Sequence, residues 1–189
     1  PHQGVSADAI ATLEGISPEA LDAHAADSQR KAEIAIKEGR FDRALIPVYN
    51  LDGSLALDRE EFPRPGTTAE SLAKLSASFP AVADYRHEEG SKTFRELINQ
   101  KFPDLDINHV HHAGNSSGVV DGAAAILIAS EEYAQAHGMK ARARVVATAN
   151  MGDDPTLMLN APVPAAKKVL EKAGMTADDI DIWEINEAF

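Results

Sequence analysis

Three histidines lie close together in the second half of the chain, at His109, His111 and His112. Imidazole is the side chain that most often binds metal ions in proteins. Their spacing, however, matches no closed metal site, and His111 and His112 would point to opposite sides of an extended chain. The sequence therefore predicts that these histidines do not form a metal site.

Two polar pairs near the carboxyl end could also take part in chemistry. Asp153 and Asp154 stand directly before Pro155, a pattern more typical of the start of a turn than of paired acid and base carboxylates. Asn186 and Glu187 follow an apolar run, and an asparagine in that place often only caps a turn. Neither pair alone identifies a reaction.

The chain contains no cysteine. Disulfides, thiolate metal sites and a thiol nucleophile are therefore excluded within these residues. This absence limits the covalent chemistry that the 189 residues could perform by themselves.

The composition is that of a globular chain. Hydrophobic residues make up 44% of the 189 positions, which is enough to fill an ordinary core. The formal net charge of -12 argues against nucleic acid or an anionic membrane as a partner, because both attract basic surfaces. No apolar run approaches the roughly 20 residues of a membrane span, and the first residues do not resemble a secretory signal. The sequence thus predicts no membrane span and a cytoplasmic location.

The first third of the chain has the pattern of helices. Ser6 is a candidate cap for a short helix that ends at Gly15, and Ser17-Pro18-Glu19 has the residues of a second helix start. Apolar and small residues recur at helical spacing from Leu21 to Ile36, and Gly39 suits a left-handed end. An amphipathic second helix is expected.

The next segments predict a hairpin and two further helices. Short apolar stretches at 44–49 and 51–57 flank Asp52-Gly53, a strong hairpin signal. Thr67 or Thr68 begins a helix that is expected to run through Leu75. The polar stretch 80–112 is interpreted as an insertion with one helix near 94–102.

From Gly114 onward the pattern alternates between strands and helices. The apolar run 123–129 predicts a strand covered on both faces, with an alanine-rich helix as the alternative. The remaining expectations are a helix at 131–137, a strand at 142–149, a helix at 164–173, a capped turn at Thr176 to Asp179 and a strand at 180–185. This order is typical of an α/β sheet with helices across its faces.

Several phrases in this chain together resemble the thiolase family. They are, in order, residues 64–75 (RPGTTAESLAKL), residues 113–118 (AGNSSG) running into 121–124 (DGAA), residues 154–165 around Met158, and residues 186–189 (NEAF). One phrase would be weak evidence, but their order and the intervening elements make the match strong. The resemblance extends over most of the chain outside about residues 80–112.

The resemblance implies an α/β thiolase-like fold, in which a helical loop domain is followed by part of the layered α/β core. The implied domains are a coenzyme A-covering loop domain at 1–112, the end of the amino-terminal half at 113–140 and the start of the carboxyl-terminal half at 141–189. The family's nucleophilic cysteine would precede Pro1, and its catalytic histidine and second cysteine would follow Phe189.

The resemblance also implies a function and a set of site residues. Thiolases transfer acyl groups between a cysteine and coenzyme A, which serves as a substrate rather than a bound cofactor. Asn186 matches the asparagine that holds a water against the thioester oxygen, where negative charge builds up. The implied coenzyme A and acyl contacts are His2, Arg64, Ser71, Leu75, Phe79, Ala113, Ser117, Met158, Ala188 and Phe189.

Some of these positions have simpler interpretations. Ser71 read alone is a solvated helix serine, whereas Leu75 and Phe79 read alone are core residues. Glu187 could orient the missing histidine or make only a structural hydrogen bond. Gln3 and Leu159-Asn160-Ala161 depart from the family pattern, so the resemblance does not extend to acyl chain length.

Three interpretations of the whole chain follow. In the first, the chain is part of a thiolase that processes acyl-coenzyme A and forms a homodimer or homotetramer. These residues alone are then expected to be inactive. The second is part of a non-catalytic acyl or sterol carrier of thiolase shape. The third is a free-standing helical interaction module.

Overall fold

A computed structural model describes all residues from 1 to 189, and the chain divides into two compact units. Unit 1 comprises residues 1–118 and 187–189, and unit 2 comprises residues 119–186. The elements of unit 1 are α1 (Gln3–Leu13), α2 (Pro18–Lys37), β1 (Val48–Tyr49), β2 (Leu55–Leu57), α3 (Ala69–Leu72), α4 (Pro80–Ala83) and α5 (Phe94–Asn99). Those of unit 2 are α6 (Glu131–Ala136), α7 (Pro162–Ala173) and a 3₁₀ turn (Ala177–Asp179).

Helix α1 is the most deeply buried element of unit 1, because every residue from Gly4 to Ala9 is buried. It packs against α4 and α5, where Val5 and Ile98 are fully enclosed. The prediction that Ser6 caps this helix is wrong. The helix begins earlier because the ring Nδ1 of His2 accepts a hydrogen bond from the Gly4 N–H, so Ser6 already lies inside the first turn.

The bounds of helix α2 confirm the helix that was predicted from the residues at its two ends. The Ser17 hydroxyl accepts a hydrogen bond from the Ala20 N–H, and Pro18 occupies the first turn. Beyond the last turn, Gly39 adopts a φ of 64°, a left-handed conformation that glycine tolerates best. One face of the helix packs against α3.

The predicted hairpin is present but shorter than expected. Strands β1 and β2 pair antiparallel, with Val48 opposite Leu57 and Tyr49 opposite Leu55. The turn is held by Asp52, whose carboxylate accepts from the Ser54 N–H, and by Gly53 at a φ of 83°.

Two of the three short helices of unit 1, α3 and α5, begin with side-chain caps. Thr68 caps α3, as one of the two sequence alternatives predicted, but the helix ends at Leu72 rather than Leu75. Thr93 and Glu96 form a reciprocal capping box at the start of α5, the helix expected in the polar stretch. Helix α4 was not predicted.

The helices of unit 2 confirm the sequence predictions. Ser130 caps α6, and Gly138 follows it at a φ of 62°. Helix α7 begins at Pro162, slightly earlier than predicted, and ends at Gly174 in the left-handed conformation. Thr176 and Asp179 form the expected capping box around the 3₁₀ turn.

The three strands predicted for this region are wrong as elements of this structure. Segments 123–129, 142–149 and 180–185 form neither strands nor the alternative helix, and β1 with β2 is the only pair of strands. Leu127 and its neighbours in the first segment are exposed. A strand requires a neighbour for its backbone N–H and C=O groups, and no neighbour is present here.

None of the helices combines the length and the apolar character that crossing a bilayer requires.

Candidate functional site

One buried carboxylate organises the histidine-rich segment of unit 1. Asp8 on α1 is 0% exposed, and its side chain accepts four hydrogen bonds from residues 109–111. The Nδ1 atoms of His109 and His111 lie 2.6 and 2.8 Å from its two oxygens. The backbone N–H groups of Val110 and His111 donate over 3.1 and 3.0 Å. Asp8 therefore fixes both the rings and the backbone of this segment.

The same contacts set the protonation of Asp8. Burial by itself would raise the pKa of Asp8, because it disfavours the charged form. The hydrogen bonds from the His111 and His109 rings, together with the backbone donors, lower the pKa further than burial raises it. The net pKa lies below the ordinary value, so Asp8 is a carboxylate at neutral pH.

The partners of His109 identify its neutral tautomer. Its Nδ1 faces the acceptor Asp8, and its Nε2 lies 3.2 Å from an Arg95 guanidinium nitrogen. Because arginine can only donate, the Nε2 of His109 accepts and the ring proton resides on Nδ1. The Nε of the same arginine, Arg95, donates to the Asp84 carboxylate over 2.9 Å.

A second buried carboxylate, Asp22 on α2, contacts the next part of the chain. One oxygen of Asp22 lies 3.0 Å from His112 Nε2 and 3.1 Å from Asn115 Nδ2. Asn115 also accepts from the His112 N–H over 2.8 Å and donates to the Val110 carbonyl over 3.2 Å. The three histidines are thus divided between carboxylates of two helices, and no group of three or more side chains forms a metal-binding arrangement.

These contacts hold a loop, residues 113–118, which we call the binding loop. Within this loop the side chains of Ala113 and Ser117 are exposed, whereas the side chain of Asn115 is buried. Gly114 lies so close to Leu72 that an added Cβ would stand 2.5 Å from the leucine side chain. The Ser117 N–H donates to the Ala188 carbonyl over 3.0 Å, which joins the binding loop to residues 187–189.

Aromatic rings cluster beside the binding loop. The Phe189 ring contacts Phe79 and His111 edge to face, with centroids 5.9 and 5.7 Å apart. The Phe79 ring also lies 5.5 Å from the His2 ring, which in turn lies 6.2 Å from Phe94. Three of the residues implied by the resemblance, His2, Phe79 and Phe189, are therefore brought together.

A cavity of about 280 Å³ lies between α2, the binding loop and residues 187–189. Glu187 in its wall accepts a hydrogen bond from Ser28 over 2.6 Å and pairs with the His24 ring over 3.0 Å. Ser116, also in the wall, has a buried hydroxyl oxygen without a hydrogen-bond partner. Because an unpaired buried hydroxyl is costly, Ser116 is a group that a polar ligand would satisfy.

Comparison with known proteins identifies the family. The model of the thiolase amino-terminal domain matches residues 1–83, and the model of the thiolase carboxyl-terminal domain matches residues 139–189. This chain belongs to the thiolase family.

Individual thiolases are similar along the whole chain. The acetyl-CoA acetyltransferase of Allochromatium vinosum is 41% identical over 100% of this chain and 42% of its own length. The 3-ketoacyl-CoA thiolase of Escherichia coli O1:K1 is 40% identical over 98% of this chain and 42% of its own length. The chain thus spans less than half the length of these relatives.

The solved structure of the dimeric peroxisomal thiolase of Saccharomyces cerevisiae confirms the fold. It matches with a TM-score of 0.78 and 32% identity, over 100% of this chain and 42% of that one. The expectation of a thiolase-like fold is therefore confirmed, although the segments predicted as strands in unit 2 form no strands here.

The other unit 1 residues implied by the resemblance differ in their contacts. Ser71 is exposed, and its hydroxyl forms part of the cap of α3 with Thr68. Leu75 is 46% exposed, so its interpretation as a core residue is wrong. It nevertheless borders Gly114 of the binding loop. Arg64 has an exposed side chain, and its backbone N–H donates to Gln29.

Two of the implied thiolase residues belong to unit 2. Met158 is exposed and is the one non-glycine residue with a positive φ, of 49°. Asn186 is exposed at the end of unit 2. In the neighbouring turn, the Asp154 carboxylate accepts from the Thr156 N–H, which confirms the turn interpretation of the acidic pair.

No local sequence pattern identifies the residues that shape the binding loop. Asp8, Asp22 and Asn115 are buried polar residues. Asp8 bonds to His111, and Asp22 bonds to Asn115, which in both cases lies far along the chain. Asp8 and Asp22 each stand between small and apolar residues on a helix, which is a signal for a buried acid in need of donors. The clustered histidines at 109, 111 and 112 contain the ring nitrogens that contact these buried acids.

Proposed function

We propose that the complete protein containing these residues is an acyltransferase of the thiolase type. In the degradative direction, a cysteine thiolate attacks the 3-keto carbon of a 3-ketoacyl-coenzyme A thioester. The bond between C2 and C3 breaks, C2 takes up a proton, and acetyl-coenzyme A leaves. The thiol of free coenzyme A then takes the shortened acyl group from the cysteine, which regains its proton. The reverse sequence is a Claisen condensation.

The convergence of predicted residues in unit 1 carries this proposal. The binding loop, with Ala113 and Ser117 exposed, lies next to the aromatic cluster that contains His2, Phe79 and Phe189. Exposed backbone and hydroxyl groups suit the two amides of the pantetheine arm, and the rings suit its apolar parts. Arg64, Ser71 and Leu75 would contact the nucleotide side, where a cation suits the phosphates.

Asn186 has the proposed catalytic role in these residues. Its side-chain amide would hold a water that donates to the thioester oxygen as negative charge develops there. Met158 would border the acyl group, and Ala188, whose carbonyl accepts from Ser117, would complete the coenzyme A site. The nucleophilic cysteine, the catalytic histidine and the second cysteine would come from other parts of the protein, so the 189 residues alone would not turn over substrate.

The same proposal includes the organisation and the partners of the protein. Residues 1–112 would form the domain that covers coenzyme A, 113–140 would end the amino-terminal half, and 141–189 would begin the carboxyl-terminal half. We also propose a homodimer or homotetramer in the cytoplasm. The similar yeast protein is described as dimeric, which supports the first of these assemblies.

A direct test assays the complete protein for coenzyme A-dependent cleavage of acetoacetyl-coenzyme A and of longer 3-ketoacyl thioesters. We expect Asn186→Ala to lower kcat by on the order of a hundredfold, the usual effect of losing one oxyanion donor. Asn108→Ala is a suitable control, because Asn108 is exposed and is held through its backbone. An unchanged kcat in Asn186→Ala would remove this residue from the mechanism.

The assay also separates an enzyme from a carrier. Tight binding of acyl-coenzyme A without any cleavage or condensation would favour a non-catalytic carrier of thiolase shape. Absence of both binding and turnover would contradict the proposed function altogether.

A further inference from the structure

Asp22 is a buried carboxylate whose partners all belong to the region of the binding loop. It is 3% exposed, and the only other buried residue of α2 is Ala35. Burying a carboxylate is unfavourable unless donors surround it. Its donors are His112 and Asn115, which flank Ala113 and Gly114.

The orientation of His112 follows from its partners. The Gly114 N–H donates to His112 Nδ1 over 3.1 Å, so Nδ1 is the acceptor and carries no proton. The ring proton is therefore on Nε2, where it points to Asp22 over 3.0 Å. Without an acceptor at Asp22, the ring would lose the contact that selects this tautomer.

The orientation of Asn115 is fixed in the same way. Its Oδ1 accepts the His112 N–H, and its Nδ2 donates to Asp22 and to the Val110 carbonyl. A flipped amide would direct its oxygen at the carboxylate and at the carbonyl, which is unfavourable. Asp22 therefore selects one rotamer for each of two side chains.

Both side chains bond to the backbone at the start of the binding loop or just before it. Through His112 and Asn115, Asp22 determines where the N–H of Gly114, the N–H of His112 and the carbonyl of Val110 are held. Ala113 lies between these fixed points, and Ser117 lies just beyond them. Asp22 touches neither exposed residue, yet the shape of the loop that presents them depends on it.

We propose that Asp22 is a positioning residue for coenzyme A, which it affects by holding the binding loop through His112 and Asn115. This inference rests on the proposed function, because it assumes that the binding loop contacts the pantetheine arm. Asp22 contributes to ligand affinity and not to the chemical step, since the reacting groups lie elsewhere.

The inference is tested in the complete protein by titration calorimetry with coenzyme A and by steady-state kinetics. We expect Asp22→Leu, which removes the acceptor, to weaken the Kd and raise the KM for coenzyme A roughly tenfold, because His112 and Asn115 would no longer be held in one orientation. kcat should change by less than about twofold, since binding made equally in the ground and transition states leaves kcat unaltered. Asp27→Leu is the matched control, because Asp27 lies on the same helix but pairs only with Arg30 and Lys31.

A second pair of variants tests the route through His112. His112→Gln retains a donor that can reach Asp22, whereas His112→Leu retains none. We expect His112→Gln to bind coenzyme A more tightly than His112→Leu. This pair decides the question if Asp22→Leu fails to fold, as judged by circular dichroism and thermal unfolding.

The outcomes separate this inference from the proposed function. Equal Kd values in folded Asp22→Leu and Asp27→Leu, or in the two His112 variants, would overturn the positioning role while leaving a coenzyme A-dependent wild type. A fall in kcat with unchanged KM would overturn it as well. A wild-type protein that does not bind coenzyme A would instead overturn the proposed function, and this inference with it.

Discussion

The two units of the chain differ in how many residues they bury and in whether those residues include polar ones. Unit 1 encloses carboxylates, histidines and an asparagine together with its apolar core. Unit 2 buries a single residue, Leu157, and exposes its most apolar segments at 123–129 and 142–149. Unit 1 is stabilised by specific polar contacts between distant residues, whereas unit 2 contains helices and turns that form locally.

The difference shows what each kind of segment needs from the rest of a protein. The buried carboxylates of unit 1, Asp8 and Asp22, find their hydrogen-bond donors within the unit. The apolar segments of unit 2 have none of the backbone partners that a sheet supplies. Because the similar thiolases are more than twice as long as this chain, we expect further residues of the complete protein to cover these segments.

The largest expected contrast between the units comes from truncating one apolar residue in each. Ile98 in unit 1 is 0% exposed, and Leu127 in unit 2 is 81% exposed. In the 189-residue chain, Ile98→Ala should lower the free energy of unfolding by about 2–5 kcal/mol through the cavity it leaves. Leu127→Ala should change it by less than about 0.5 kcal/mol. Denaturant titration of each variant measures both values.

A large loss of stability in Leu127→Ala would show that unit 2 buries this segment without help from other parts of the protein. In the complete protein the same substitution should become destabilising, as we expect this segment to be covered there.

A comparable contrast concerns the buried charge of unit 1. Asp8→Asn should lower the free energy of unfolding by about 3 kcal/mol at pH 7, because it removes one partner of a buried, hydrogen-bonded pair. The pKa of Asp8 lies below its ordinary value of 3.8 in the folded protein. Its stabilising contribution is therefore complete above that value and is lost as the pH falls through the lower, folded-state pKa.

The pH dependence of unfolding checks this assignment. Below about pH 4, wild type should lose stability more steeply than Asp8→Asn, so the two curves should converge in acid. Parallel curves from pH 7 to pH 2 would mean that Asp8 does not titrate with folding.

The smallest expected contrast comes from adding one methyl group to each unit. A Cβ at Gly4 would collide with the Phe79 ring, whereas a Cβ at Gly122 in unit 2 would meet no atom within 4 Å. Gly4→Ala should therefore cost about 1–3 kcal/mol by overpacking. Gly122→Ala should be neutral or slightly stabilising. Equal melting temperatures for the two variants would contradict the tight packing between α1 and the aromatic cluster.

The sequence predicted the elements whose signals are local. Ser17 and Gly39 mark the ends of α2, and Thr176 with Asp179 marks the 3₁₀ turn, because a cap involves residues only a few positions apart. The family phrases likewise led to Ser117, Phe79 and Phe189, which do converge in the structure.

The features that the sequence did not predict depend on distant contacts. Asp8 is separated by more than 100 positions from the histidines that it holds, and no local pattern joins them. Segment 142–149 has the composition of a buried strand, but composition does not supply the neighbouring strand with which it would have to pair. The prediction of Ser6 as a cap is wrong because the sequence does not show that His2 caps the helix four positions earlier.

The long separation between Asp8 and His111 also has a kinetic consequence. The two residues are 103 positions apart, so their contact closes a long loop of chain at an entropic cost. Helices such as α2 need no such closure and form far faster. We therefore expect the segment from His109 to Asn115 to become ordered late during refolding, well after the helices on which it rests.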